Sequence, residues 1–203
     1  MKKIGLFGGT FNPIHIAHLI IADSFAQNFN LDKCLFVPAH ISPFKKKSKS
    51  ATDTLVAHRL KMLKLAIKDN PKFGILTYEV DKGGISYSID TVDHLKEKEP
   101  ATELYLLIGT DQAEEFKLWK KWEKLLTLVQ LCIARRQGLD SKKMEKEISH
   151  SLTINKKKPE WLDTPMLDIS SEDIRDKVLL EKSIKYYVPA SVEKYILSNN
   201  LYK

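Results

Sequence analysis

Gly8-Gly9-Thr10-Phe11-Asn12-Pro13-Ile14-His15-Ile16-Ala17-His18 follows the apolar run Ile4-Gly5-Leu6-Phe7 and opens an amphipathic stretch. The order strand, glycine pair, helix is that of a phosphate-binding turn. Adjacent glycines let backbone approach a ligand, and the helix start behind them offers unpaired N–H groups and a positive dipole end. The stretch is neither a Gly-x-Gly-x-x-Gly fingerprint nor a P-loop, since no Gly-Lys-Ser/Thr follows. His15 and His18 stand three apart, so on a helical turn they share one face. Two imidazoles there are suited to donate hydrogen bonds to phosphate oxygens. A metal site would need a third ligand at sensible spacing, and none is nearby.

Outward from this turn, short apolar, β-branched runs alternate with amphipathic stretches, which predicts a parallel sheet covered by helices. Strands are expected at 3–7, 34–37, 74–80, 104–108, 128–134 and 165–169. Helices are expected at 16–28, 53–68, 89–98, 140–148, 172–180 and 189–198, with Pro189 at the first helical position of the last. There are no repeats and no linker, so one domain over residues 1–203 is the simplest organisation. The expected fold is α/β, a Rossmann-like doubly wound parallel sheet with helices on both faces. In such a sheet ligands bind beyond the carboxyl ends of the strands, and the loop at 8–18 lies there.

The 203 residues suffice for a buried core without disulfides. Cys34 and Cys132 sit inside apolar runs and are expected to be buried free thiols. The N-terminal apolar run is too short for a secretory signal core, no stretch is long and apolar enough to span a membrane, and a cytoplasmic protein is expected. The net charge of +7 comes largely from two lysine clusters, 45–49 and 156–158. Neither has the interleaved aromatics of a single-strand binder; the charge favours anionic ligands in general, and no nucleic-acid partner is expected.

The first loop resembles the signature of the nucleotidyltransferase superfamily with a His-x-Gly-His motif, and more narrowly the bacterial nicotinate-nucleotide adenylyltransferases. Asn12 stands where that family usually has aspartate, and Ala17 where it usually has glycine. Other stretches are similar too. Val37-Pro38-Ala39-His40-Ile41-Ser42-Pro43-Phe44-Lys45 matches a family segment ending in Pro-His-Lys, with Phe44 replacing the histidine and Lys45 retained. Ser86-Tyr87-Ser88-Ile89-Asp90-Thr91 matches a stretch associated with the acceptor nucleotide, Ser88 being a plausible helix cap. Leu107-Ile108-Gly109-Thr110-Asp111, with Phe116 and Trp119 following, resembles the family's Gly-x-Asp…Phe…Trp pattern. Arg136 stands where the family has Arg-Pro-Gly, here Arg136-Gln137-Gly138. Ile169-Ser170-Ser171-Glu172-Asp173-Ile174-Arg175 is close to Ile-Ser-Ser-x-x-Ile-Arg, and Ser170 with Asp173 makes a capping-box-like helix start. The resemblance runs over nearly the whole chain.

The resemblance implies transfer of the adenylyl group of ATP to nicotinate mononucleotide, with pyrophosphate leaving and Mg²⁺ carried with ATP. His15, His18, Lys45 and Arg175 would then be catalytic. Gly8, Gly9, Thr10, Phe11, His18, Gly109, Asp111, Ile169, Ser170, Ser171 and Arg175 would bind ATP. Tyr87, Ser88, Trp119 and Arg136 would bind the acceptor, and a homo-oligomer is compatible with the sequence. Nicotinate against nicotinamide mononucleotide stays open at this level. Phosphopantetheine adenylyltransferases and cytidylyltransferases share the first loop but not the other motifs. An aminoacyl-tRNA synthetase fragment would need its lysine loop later in the chain. A binding module without catalysis leaves the histidine pair without a task.

Overall fold

A computed structural model describes residues 1–43, 53–135, 141–165 and 167–203. Six strands form one sheet: β1 (Lys3–Gly9), β2 (Lys33–Pro38), β3 (Phe73–Ile75), β4 (Glu103–Gly109), β5 (Val129–Ala134) and β6 (Glu160–Leu162). Every pairing is parallel and the order is β3-β2-β1-β4-β5-β6. The chain winds outward from β1 to β3, then returns to β4 on the other side of β1. That reversal opens a crevice between the carboxyl ends of β1 and β4, where Phe7 pairs with Leu107.

Strand periodicity builds the two cores. Ile4 and Leu6 of β1, Leu104, Leu106 and Ile108 of β4, and Leu131 and Ile133 of β5 face one side. Against them pack α4 (Ser88–Lys98), α6 (Trp122–Leu128) and α7 (Ser141–Ser151). Cys34, Phe36, Leu107, Cys132 and Ala134 face the other side. There they meet α1 (Ile16–Asn28), α2 (Asp53–Ile67), α8 (Ser171–Leu179) and α9 (Ala190–Ser198). The doubly wound arrangement expected from the alternating runs is therefore the one observed. Two short helices, α3 (Tyr78–Lys82) and α5 (Thr110–Glu114), complete the described elements, with a 3₁₀ turn at Phe116–Leu118.

Local chemistry explains the tight fit of α1. A Cβ on Gly5 would lie 2.5 Å from both Leu31 Cδ1 and Phe25 Cε1, so only glycine lets the end of α1 lie this close to β1. Asn30, in the left-handed region at φ 50°, ends the helix, and Leu31 N–H donates to Ala26 C=O at 2.9 Å. Cys34 and Cys132 are buried free thiols, and burial pushes the Cys34 thiol up to about 12. Among the described residues no helix is long and apolar enough to cross a membrane.

The structure corrects several local expectations. The run 74–80 is a strand only to Ile75; from Tyr78 it is α3, where Thr77 donates its hydroxyl to the Asp81 carboxylate at 2.6 Å. No strand forms among the described residues of 165–169; the edge strand is β6, five residues earlier in the chain. Ser88 is the first residue of α4 rather than its cap, which is Tyr87, and Pro189 caps α9 rather than beginning it.

Candidate active site

A cavity of about 690 Å³ occupies the crevice where the strand order reverses. Its volume is within the range of small-molecule and cofactor sites. Its floor is the carboxyl ends of β1 and β4, Phe7–Gly9 and Leu106–Gly109. A Cβ on Gly8 or Gly109 would meet nothing within 4 Å, so at both strand ends bare backbone faces open space.

Residues 8–15 are shaped by what holds their far side. Phe11 takes φ 50°, uncommon for a residue with a side chain, and its ring is buried against Phe7, Phe36 and His18 at centroid distances of 5.6, 5.6 and 5.1 Å. That ring lies over Gly9, where a Cβ would come within 2.9 Å of it. Four carbonyls are engaged in turn. Gly9 C=O accepts from Ala39 N–H at 2.9 Å, and Thr10 C=O from the Arg59 guanidinium at 2.7 Å. Asn12 C=O accepts from the Arg175 guanidinium at 2.9 Å, and Pro13 C=O from the Ser171 hydroxyl at 2.8 Å. The Asn12 side-chain oxygen accepts from the Tyr202 hydroxyl at 2.6 Å. In a planar trans peptide the N–H points opposite its C=O, so the N–H groups of Thr10 and Phe11 are turned away from these braces. Both residues line the cavity.

The histidines differ in place and partner. His15 caps α1 in extended conformation, and its ring, 5% exposed, stacks on His18 at a centroid distance of 3.6 Å. His18 reaches the cavity wall; His15 lies behind it. His18 Nδ1 accepts from His15 N–H at 3.3 Å, so the neutral ring carries its proton on Nε2. Burial holds His18 well below its ordinary value, and neighbouring His15 lowers it further. Burial lowers His15 from 6.5 to about 4. The folded state thus favours neutral imidazoles. Stability from this source is fully present above about pH 6.5 and is lost as pH falls toward 4. For His15 alone it amounts to about 3 kcal/mol at about 1.4 kcal/mol per pH unit. Thermal melting should show a Tm flat from pH 8 to 6.5 that then declines toward pH 4; a Tm constant over the whole range would contradict the neutral pair.

The same cavity is lined by Glu79, Ser86, Tyr87, Ser88, Trp119 and Lys120. The Trp119 ring stacks on Phe116 at 4.9 Å and 29°. The Lys120 ammonium lies over the Tyr87 ring at 4.4 Å and bonds Asp90 at 3.2 Å. Asp90 also accepts from Lys82 at 2.5 Å. Ser86 joins this wall to the segment after β2 through its hydroxyl, which accepts from His40 N–H at 2.9 Å. Glu79 accepts from the Thr91 hydroxyl at 2.7 Å, and burial pushes its carboxyl up despite that bond.

The residues singled out in the sequence are distributed as follows. Gly8, Gly9, Thr10, Phe11, His18, Gly109, Ser171, Tyr87, Ser88 and Trp119 line one cavity. Ser170 is the cap of α8, accepting from Asp173 N–H at 3.0 Å and donating to the Asp173 carboxylate at 2.6 Å. Arg175 binds loop backbone, Ile169 packs against the core, and Asp111 is exposed in the first turn of α5; none of the three is on the cavity wall. Lys45, Arg136 and Phe44 lie outside the described residues. Among the described residues no three His, Cys, Asp or Glu side chains are placed to hold a metal ion. Arg59, Glu79 and Lys120 escaped the sequence reasoning. For Arg59 a signal existed: it stands three residues after Val56 and four before Leu63, on the apolar face of α2.

Comparison with known proteins agrees with this geometry. A family model described as cytidylyltransferase-like matches residues 6–177. The nicotinate-nucleotide adenylyltransferase of Bacillus subtilis (strain 168) is 37% identical over 203 residues, covering 100% of both chains. A Lactococcus lactis subsp. lactis (strain IL1403) protein named "Probable nicotinate-nucleotide adenylyltransferase" is 41% identical over 202 residues, covering 100% of this chain and 96% of its own. Among solved structures, Plasmodium falciparum nicotinic acid mononucleotide adenylyltransferase complexed with NaAD has a TM-score of 0.74 at 24% identity, covering 100% of this chain and 98% of that one. That likeness concerns the fold. With curated relatives matching from end to end, the chain belongs to the nicotinate-nucleotide adenylyltransferases of the cytidylyltransferase-like family.

Proposed function

We propose that the chain transfers the adenylyl group of ATP to nicotinate mononucleotide, giving nicotinate adenine dinucleotide, an intermediate of NAD biosynthesis, and pyrophosphate. The observation that supports it best is that two unlike sets of residues line one cavity. One is glycine backbone, a helix start and His18, suited to phosphate; the other is Tyr87, Ser88 and Trp119, suited to a flat ring.

An oxygen of the acceptor's 5′-phosphate attacks the α-phosphorus of ATP in line. A new P–O bond forms as the bond from the α-phosphorus to the bridging oxygen breaks, and the electron pair leaves with pyrophosphate. The attacking phosphate is largely ionised at neutral pH, its second pKa being about 6, so no general base is needed. Catalysis is positioning plus neutralisation of developing charge. His18 donates from Nε2 to a phosphate oxygen, and the stacked His15 fixes its ring. Thr10 offers a hydroxyl, Gly8, Gly9 and Gly109 let the nucleotide approach, and Lys45 and Arg175 supply positive charge. Ile169, Ser170, Ser171 and Asp111 complete the proposed ATP-binding set; of these Ser171 lines the cavity and the other three stand outside its wall. Tyr87, Ser88 and Trp119 line the cavity and make up the proposed acceptor-binding set with Arg136, which lies outside the described residues. Mg²⁺ carried with ATP as part of the substrate would lower the charge on the leaving pyrophosphate, with no described protein residues needed to hold it. The reaction is assigned to the cytoplasm and needs no nucleic acid.

The test is pyrophosphate release from MgATP with nicotinate mononucleotide, nicotinamide mononucleotide and 4′-phosphopantetheine offered separately. Release with the nicotinate compound, and a product of the corresponding mass, is the expected result; release only with another acceptor would retire this substrate. Trp119→Ala should raise KM for the acceptor roughly 10-fold, within the 1–3 kcal/mol of ring stacking, and leave KM for ATP within about two-fold. An equal rise in both constants would show that Trp119 shapes the cavity generally.

A further inference from the structure

Arg59 is 2% exposed and lies on the core-facing side of α2, yet its described bond is to a backbone carbonyl, Thr10 C=O at 2.7 Å. Arg175 is similarly placed on Asn12 C=O at 2.9 Å and on Ser171 C=O at 3.1 Å. The Tyr202 phenol, near both guanidiniums, is partly buried and held in its neutral form. The side chain it bonds, Asn12, is neutral as well. Among the described residues no carboxylate pairs with Arg59 or Arg175, and burial lowers Arg59 from its ordinary value with only Tyr202 opposing. Arg135 shows the alternative in the same fold. It bonds Glu145 at 2.6 Å and also Asp163, two carboxylates that together more than balance it.

A guanidinium taken out of water without a counter-ion destabilises the fold, and a buried one ordinarily has an acid beside it. Here the buried Arg59 and the half-buried Arg175 stand behind one loop, and among the described residues neither has an acid beside it. We propose that Arg59 is a positioning residue whose counter-ion is the polyphosphate of ATP on the opposite side of the loop. It acts through the peptide joining Thr10 and Phe11. The cation polarises the Thr10 carbonyl, which strengthens the Phe11 N–H as a donor on the cavity side. Its charge also remains uncompensated until an anion reaches that side. Arg175 and the neutral Asn12 contribute to the same field. The nucleotide-free protein is therefore less stable than its packing allows, and polyphosphate binding recovers the difference.

This inference rests on the proposed ATP site, and the experiment separates the two. Melting temperatures are measured without ligand, with MgATP and with sodium tripolyphosphate, for wild type, Arg59→Met and Asn12→Asp. Wild type should gain about 5 °C or more from either ligand at saturation. Failure of that gain would refute the ATP site itself. Arg59→Met keeps volume and removes charge. It should melt at the wild-type temperature or higher without ligand, lose most of the gain, and bind ATP about 30-fold more weakly. Asn12→Asp keeps the acceptor for Tyr202 and adds an acid beside the pair. It should melt higher without ligand and keep less than about half of the gain. If Arg59→Met melts lower than wild type but keeps the whole gain, Arg59 is merely structural. If Arg59→Met does not fold, Asn12→Asp decides: an undiminished gain overturns the inference.

Discussion

His18→Ala is expected to lower kcat for adenylyl transfer by about 100-fold or more, the loss of roughly 3–4 kcal/mol for one preorganised donor to developing charge. The fold should survive. His18 is only partly buried, its ring stands at a cavity wall, and its neutral imidazole holds no ion pair. A melting temperature within a few degrees of wild type is the matching expectation. His15→Ala should behave differently. That ring is buried behind His18, so its loss should lower both melting temperature and rate. A folded His18→Ala enzyme turning over at nearly the normal rate would falsify the donor role.

Gly109→Val is expected to raise KM for ATP about 30-fold while leaving the protein folded, because 1–3 kcal/mol is the usual range for forcing extra carbons into an occupied space. The space above Gly109 is open in the protein alone, with nothing within 4 Å of an added Cβ. Its backbone, at φ −86° and ψ 166°, accepts a β-branched residue without strain. The clash arises only when the nucleotide lies on the strand end, so binding falls without stability. Calorimetric melting beside ATP titration reads both quantities. A drop in melting temperature with unchanged KM would mean that the strand end is packed by protein rather than by ligand.

How much of this was legible in the sequence depended on the range of the signal. Apolar alternation carries β1, β2, β4 and β5, because a central parallel strand is apolar whatever its neighbours are. It misled at 74–80, where only Phe73–Ile75 pairs with β2. Beyond Ile75, the Thr77–Asp81 bond and the Glu79–Thr91 bond favour a turn of helix. At the far edge β6 holds three residues, too few for periodicity to register, and the apolar residues of 165–169 proved more conspicuous. The site was legible where glycine, histidine and serine cluster locally. It was not legible where a residue acts across the fold. The capping of α8 by Ser170 and Asp173 was legible as a local pattern, whereas the reach of the Ser171 hydroxyl back to Pro13 C=O was not. Glu79 carries no local signal, and only the fold brings it to the cavity wall.

The hydrogen bond from Tyr202 to Asn12 joins positions 190 residues apart. At a synthesis rate of about 5–20 residues per second, some 10–40 s separate the emergence of the two partners. The glycine turn is made almost first, with β1, yet its last brace is made almost last. A nascent chain can hydrogen-bond β1 to β2 early, but the anion-binding face of the turn stays unset until the distal segment folds back over it. Nucleotide competence is in this sense a proof-of-completion signal, acquired only when Asn12 and Tyr202 have met.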